Sequence, residues 1–270
     1  MILYSESAMD INDKQVDLAL NIAAHDIYSM TDMYVESCYM EDASEKKNES
    51  SEKKTVFNTI VEKIRGLIDK IRDIIDGFKA SVESKKNLTA EEYLSSETAE
   101  VEMMYDIAAM QKEVDQEYLE ARKIVKKISG ITNVPIDEVA AFCDKMDAKL
   151  HKNKDKFIPA GKAIMKTAAI DGIRKSVYQN ISDSRHMTDE LQKYLDEFDE
   201  VVNGGKAPAD PDTIQKNANA VTRLSVTLGK MVNSWTHTFE KIGRQLSVIL
   251  VHSRKNMPGL KNNKGVKKAC

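Results

Sequence analysis

The chain has 270 residues, 41% apolar, 31% charged and only 6% aromatic, with 11 glycines and 5 prolines. This composition excludes wholesale disorder and a collagen-like chain, and scarce Gly, Pro and aromatic residues argue against a β-sandwich or barrel. Forty basic against forty-three acidic side chains leave a formal charge of −3, which by itself gives no field toward nucleic acid or membrane.

The three cysteines, Cys38, Cys143 and Cys270, are widely spaced and form no Cys-x-x-Cys pair, which fits free thiols in a reducing compartment. No apolar run reaches the roughly 18 to 20 residues of a membrane-spanning helix, and the first residues lack the basic flank and apolar stretch of a signal peptide. Neither secretion by the general route nor membrane insertion is expected.

Residues 1–45 carry ten acids against one base, Lys14. Their apolar positions Val16, Leu20, Ala23, Ile27, Met30 and Tyr34 step alternately by four and three, which predicts a helix over about 12–40 with acids on its other face. Met9, Met30, Met33 and Met40 lie in or beside it, and methionine adapts well to a docking surface, although ordinary core packing accounts for the pattern too. The stretch thus reads as an acidic helical leader. Residues 46–54 hold no large apolar side chain and read as a flexible linker, open to a processing protease.

The strongest periodicity follows. Phe57, Ile60, Ile64, Leu67, Ile71, Ile74 and Phe78 alternate steps of three and four, widened by Val61, Ile68 and Ile75, which predicts an amphipathic helix with a broad apolar face. Such a face needs a cover, from other helices or from a membrane surface. The balance of Glu62, Asp69, Asp73 and Asp76 against Lys63, Arg65, Lys70 and Arg72 favours protein packing over lipid.

Beyond it, Thr89 and Glu92 form a capping box that predicts a helix through Met103, Tyr105 and Leu119 to Ile128, ended by Gly130. Pro135 opens a shorter helix through Val139, Phe142 and Met146. After a break at residues 152–159, a helix from about Ala160 carries Ile164, Ala168 and Ile173, continuing or restarting near Thr188 and stopped by Asn203-Gly204-Gly205. Asp210-Pro211 opens the last long helix, through Val221, Leu228, Trp235 and Ile249. The class is therefore all-α: an elongated helical bundle of about six helices with coiled-coil-like packing, its body spanning 55–255. From Lys241 onward there are eight bases and no acid. Residues 256–270 read as a basic disordered tail, in which Arg254 and Lys255 just before it, and Lys261, Lys264, Lys267 and Lys268 within it, are candidate phosphate contacts for non-specific DNA binding.

Little points to a reaction. The histidines are scattered, no Glu-x-x-His or His-Glu-x-x-His occurs, and neither a phosphate loop nor a Rossmann fingerprint is present. No catalytic residue, metal or cofactor is expected. Cys143 beside Asp144 and Asp147 reads as a helix surface next to a core cysteine, and Trp235 as a core anchor.

The opening Leu3-Tyr4-Ser5-Glu6-Ser7, the acidic helix ending Glu36-Ser37-Cys38-Tyr39-Met40-Glu41, the polar linker and the following Ile60-Val61-Glu62-Lys63-Ile64-Arg65-Gly66-Leu67-Ile68 resemble, over residues 1–80, the N-termini of capsid-internal structural proteins of large tailed bacteriophages. The resemblance implies a non-enzymatic virion protein, located in the virion or host cytoplasm, whose acidic leader targets a scaffold. It also implies removal of that leader by a protease cutting after glutamate, for which Glu45 and Glu52 are candidates. The amphipathic helices themselves call for protein partners or self-association, with a membrane less favoured. The alternatives are a membrane-active protein, an ejection protein or pore former using helix 56–78, and an intracellular helical binding module.

Overall fold

The computed structural model describes residues 6–40, 49–86, 100–128, 134–150, 164–203 and 210–256. Six helices carry them: α1 (Glu6–Met40), α2 (Glu49–Lys86), α3 (Ile107–Lys127), α4 (Ile136–Leu150), α5 (Thr167–Asn203) and α6 (Pro211–Asn256). The fold is all-α, with one small addition. Strands β1 (Glu100–Glu102) and β2 (Ile164–Lys166) pair antiparallel, Val101 opposite Met165.

Helix α6 is the axis, packing against all five other helices. Its sequence explains why: between residues 217 and 239 the only charged side chains are Arg223 and Lys230, so the helix is apolar or small nearly all round. From Asn217 to Trp235 almost every side chain is buried. The hydroxyls this places inside are satisfied locally, Thr222 donating to the Ala218 carbonyl at 2.7 Å and Ser225 to that of Val221 at 2.8 Å. Gly229 lets α1 and α2 approach, since a β-carbon there would lie 2.8 Å from Leu20 Cδ1 and 3.3 Å from Ile71 Cγ1.

Helix α2 turns its apolar face inward. Phe57, Ile60, Ile64, Leu67 and Ile71 are buried, as are Val61, Ile68 and Ile75, while Ile74 and Phe78 pack against the core at its edge. Phe78 meets Phe239 edge-on at 5.0 Å and Tyr178 at 5.8 Å, tying α2, α5 and α6 together. Its basic residues reach across to α5: Arg65 to Asp196 at 2.9 Å and Arg72 to Asp189 at 2.8 Å, with Arg185 returning to Asp76. These pairs are largely solvent-exposed, so they set register more than they add stability.

Several sequence expectations change. Helix α1, the described part of the expected leader 1–45, does not stand apart, because it supplies Leu20, Ala24, Ile27 and Tyr34 to the same core as the other helices. The proposed linker 46–54 is largely helix, Glu49–Lys54 being the start of α2; a polar segment propagates a helix once a strongly apolar one downstream has nucleated it. The helix expected from Thr89 begins instead at Ile107, where Asp106 caps it by accepting from the Ala109 amide at 3.0 Å, and residues 100–102 are strand. Ile164 likewise belongs to β2, and α5 runs unbroken from Thr167 through Thr188 to Asn203. Thr89 and Glu92 lie outside the described residues, as do Gly130 and the break at 152–159.

Candidate interaction surfaces

Around α6 the outer helices pack side by side in the order α1, α2, α5, α3, α4. The ring closes everywhere except between α4 and α1. Along that seam two adjoining hollows of about 480 and 300 Å³ reach down to α6, both bordered by Tyr28 and Arg223. Three bases spaced seven apart on α6, Lys216, Arg223 and Lys230, line it. Seven residues are two helical turns, so the three stand in one row.

Opposite them on α4, Ile136, Val139 and Ala140 form an apolar wall, followed by two acids that answer the bases. Arg223 hydrogen-bonds Asp144, and Lys230 Nζ lies 3.6 Å from Asp147 Oδ1. On the α1 side the Thr31 hydroxyl donates to Asn219 Oδ1 at 2.9 Å. Burial pushes the Tyr28 phenol up in pKa, opposed by the positive charge of Arg223. The seam's groups are suited to recognition: cations, amides and a phenol beside an apolar wall.

Cys143 lies close by but fully buried; burial raises its thiol pKa, against a hydrogen bond with Thr227 that lowers it. A buried, protonated thiol is a poor nucleophile. Among the described residues no group of three His, Cys, Asp or Glu side chains is arranged to hold a metal ion.

The carboxylate most shut away from water is Glu117, 4% exposed, which accepts from Trp235 Nε1 at 2.8 Å and lies 3.7 Å from Lys149 Nζ. Burial holds its pKa above the ordinary carboxylate range, while Trp235 and then Lys149 act in the opposite sense. A perturbed carboxyl can mark an active site. Here Trp235 covers it, so it works as an internal clasp between α3 and α6.

A second surface lies on the outside of α1. Leu18, Ile22 and Met33 are 58%, 56% and 61% exposed. Four and then eleven residues apart, they fall within about 60° of one another around the helix, on the side away from the buried Leu20, Ile27 and Tyr34. The exposed acids Asp26, Asp32 and Glu36 flank them. Helix α1 is therefore apolar on two opposite faces, one in the core and one in water.

Of the candidate residues read from the sequence, the stripe Phe57, Ile60, Ile64, Leu67, Ile71, Ile74 and Phe78 lies in or against the core. Glu52 lies within α2, and Arg254 and Lys255 within the last turn of α6; Glu45, Lys261, Lys264, Lys267 and Lys268 lie outside the described residues. Sequence reasoning missed both surfaces. The row Lys216, Arg223, Lys230 was detectable as the heptad-spaced charges of a segment, 213–239, that is otherwise uncharged, and Leu18, Ile22 and Met33 as a second stripe out of phase with the first. The chain matches no protein-family model, no curated protein and no solved structure.

Proposed function

We propose that this chain is a non-enzymatic structural protein of a tailed-bacteriophage particle, working through packing of its helices against other proteins. The observation that carries the interaction role is the doubly apolar α1: an ordinary surface helix needs one apolar face, and three large apolar side chains on the other, set among acids, suit a protein partner. The bacteriophage setting comes from the resemblance over residues 1–80. The alternative of a membrane-active helix over 56–78 has less support, since that helix already spends its apolar face on the core. No helix of the described residues is long and apolar enough to cross a membrane.

Mass spectrometry of purified particles tests the proposal. Peptides from this chain are expected, including peptides from α1; a particle free of them overturns the structural role.

A further inference from the structure

The outer face of α1 and the basic end of the chain have complementary chemistry. Residues 257–270 contain four lysines, no acid, and three apolar side chains large enough to anchor, Met257, Leu260 and Val266. The α1 face offers three exposed apolar side chains, Leu18, Ile22 and Met33, among Asp26, Asp32 and Glu36, which outnumber the exposed Lys14 one turn before Leu18; Asp26 shares its charge with Lys63 at 3.4 Å and Asp32 accepts from Gln215. The seam between α1 and α4 is a poorer receptor for such a segment, because its acids Asp144 and Asp147 are already engaged by Arg223 and Lys230, and Lys216 adds a further positive charge.

Reach limits which copy's residues 257–270 can cover all three positions. Helices α1 and α6 are antiparallel, Leu20 level with Gly229, Thr31 with Asn219 and Asp32 with Gln215. Met33 is thus level with the start of α6, about 60 Å along the axis from Asn256 at a rise of about 1.5 Å per residue. The fourteen residues 257–270 span at most about 50 Å fully extended. Residues 257–270 of the same chain can reach the level of Leu18 and Ile22 but fall short of Met33 even at full stretch, whereas those of a neighbouring copy can cover all three positions.

We propose that the outer face of α1, at Leu18, Ile22 and Met33, is an assembly site that receives residues 257–270 of a second copy of this chain. This rests on the reading of that face as a protein-docking surface and names its partner. The contact joins two different surfaces, so copies either add head to tail or exchange tails reciprocally. Apolar anchoring supplies hold, and the charge pairing makes the contact sensitive to salt.

The test is light scattering of three full-length proteins: the natural chain, a tail variant (Lys261→Glu, Lys264→Glu, Lys267→Glu, Lys268→Glu) and a face variant (Leu18→Gln, Ile22→Gln, Met33→Gln). All substituted positions are exposed in α1 or outside the described residues, and circular dichroism checks that helix content is unchanged. The natural chain is expected to self-associate at low salt, with association weakened on the order of tenfold between about 50 and 500 mM salt. Each variant alone is expected to be monomeric. Mixed, they should form mixed pairs, because one still offers a face and the other still offers a tail. A natural chain that stays monomeric overturns the proposal, as does association that survives charge reversal of the tail. If the face variant is monomeric but the tail variant still associates, the tail assignment fails while the docking role of α1 stands.

Discussion

At the scale of single residues, the Glu117–Trp235 clasp makes the sharpest statement. A carboxyl whose pKa is raised in the folded state binds protons more readily there than in the unfolded chain. Its contribution is therefore fully present below the unfolded carboxylate pKa and is lost as pH rises through the raised folded value. Glu117→Gln keeps an acceptor for the indole and removes the titration, so stability of the variant relative to the natural chain should improve as pH rises from about 4 to 7. Urea midpoints for both proteins across that range check it; parallel curves would show that the carboxyl is not perturbed. Trp235→Phe leaves the buried carboxylate without its donor and should cost about 1–3 kcal/mol at neutral pH, beyond any loss of packing. The glycines divide by surroundings in the same way. Gly66, Gly77 and Gly172 have nothing within 4 Å of where a β-carbon would stand, so alanine at each should add about 0.5–1 kcal/mol of helix propensity. At Gly229 a β-carbon strikes Leu20, itself fully buried. The overpacking there, about 1–3 kcal/mol, should outweigh the helix gain and leave Gly229→Ala about 1 kcal/mol less stable. Denaturant titration of the four single variants reads both signs.

At the scale of elements, the helix least like its sequence reading is α1. Its periodicity was plain, with Leu20, Ile27 and Tyr34 on one stripe, and that much was legible. Its membership of the core was not, because an amphipathic stripe says that something covers it without saying whether the cover is the same chain. Ten acids and a polar segment after it made separation look natural, yet charge on the outer face costs a packed helix nothing. Helix α2 was legible for a simpler reason: ten large apolar side chains at regular spacing leave no other conformation that buries them. The two strands were invisible, since three-residue segments are shorter than any periodicity can register. Deleting residues 1–45 provides the check on α1. It uncovers Gly229 and Ile71 beside the vacated Leu20 and Phe57 beside the vacated Tyr34, and the truncated chain should bind a hydrophobic dye and melt several degrees lower or aggregate. A truncated chain as stable as the full one would restore α1 to the status of a detachable leader.

At the scale of the whole molecule, the arrangement of helices is where sequence reading stopped. Which helix sits at the centre was encoded in α6 by the near absence of charge over residues 217–239, a signal of composition that a search for stripes passes over. The order α1, α2, α5, α3, α4 around it follows from pairings such as Arg65 with Asp196 and Lys145 with Glu120 at 2.7 Å, which no spacing along one helix reveals. That order predicts a gradient of local stability. Helix α6 touches every other helix, so opening it exposes all their inner faces, and its amides should exchange with solvent only when the whole molecule unfolds. Helix α4 packs chiefly against α3 and α6, contributes Val139, Phe142, Cys143 and Met146, and borders the open seam. Lifting it away uncovers far less apolar surface. Hydrogen exchange followed by mass spectrometry should therefore find residues 217–239 the slowest in the chain and residues 136–150 exchanging earlier through a partial opening, the two rates converging only as denaturant approaches the global midpoint. Equal protection of α4 and α6 in the absence of denaturant would mean that the seam is closed in solution, and with it the recess that holds Arg223 and Tyr28.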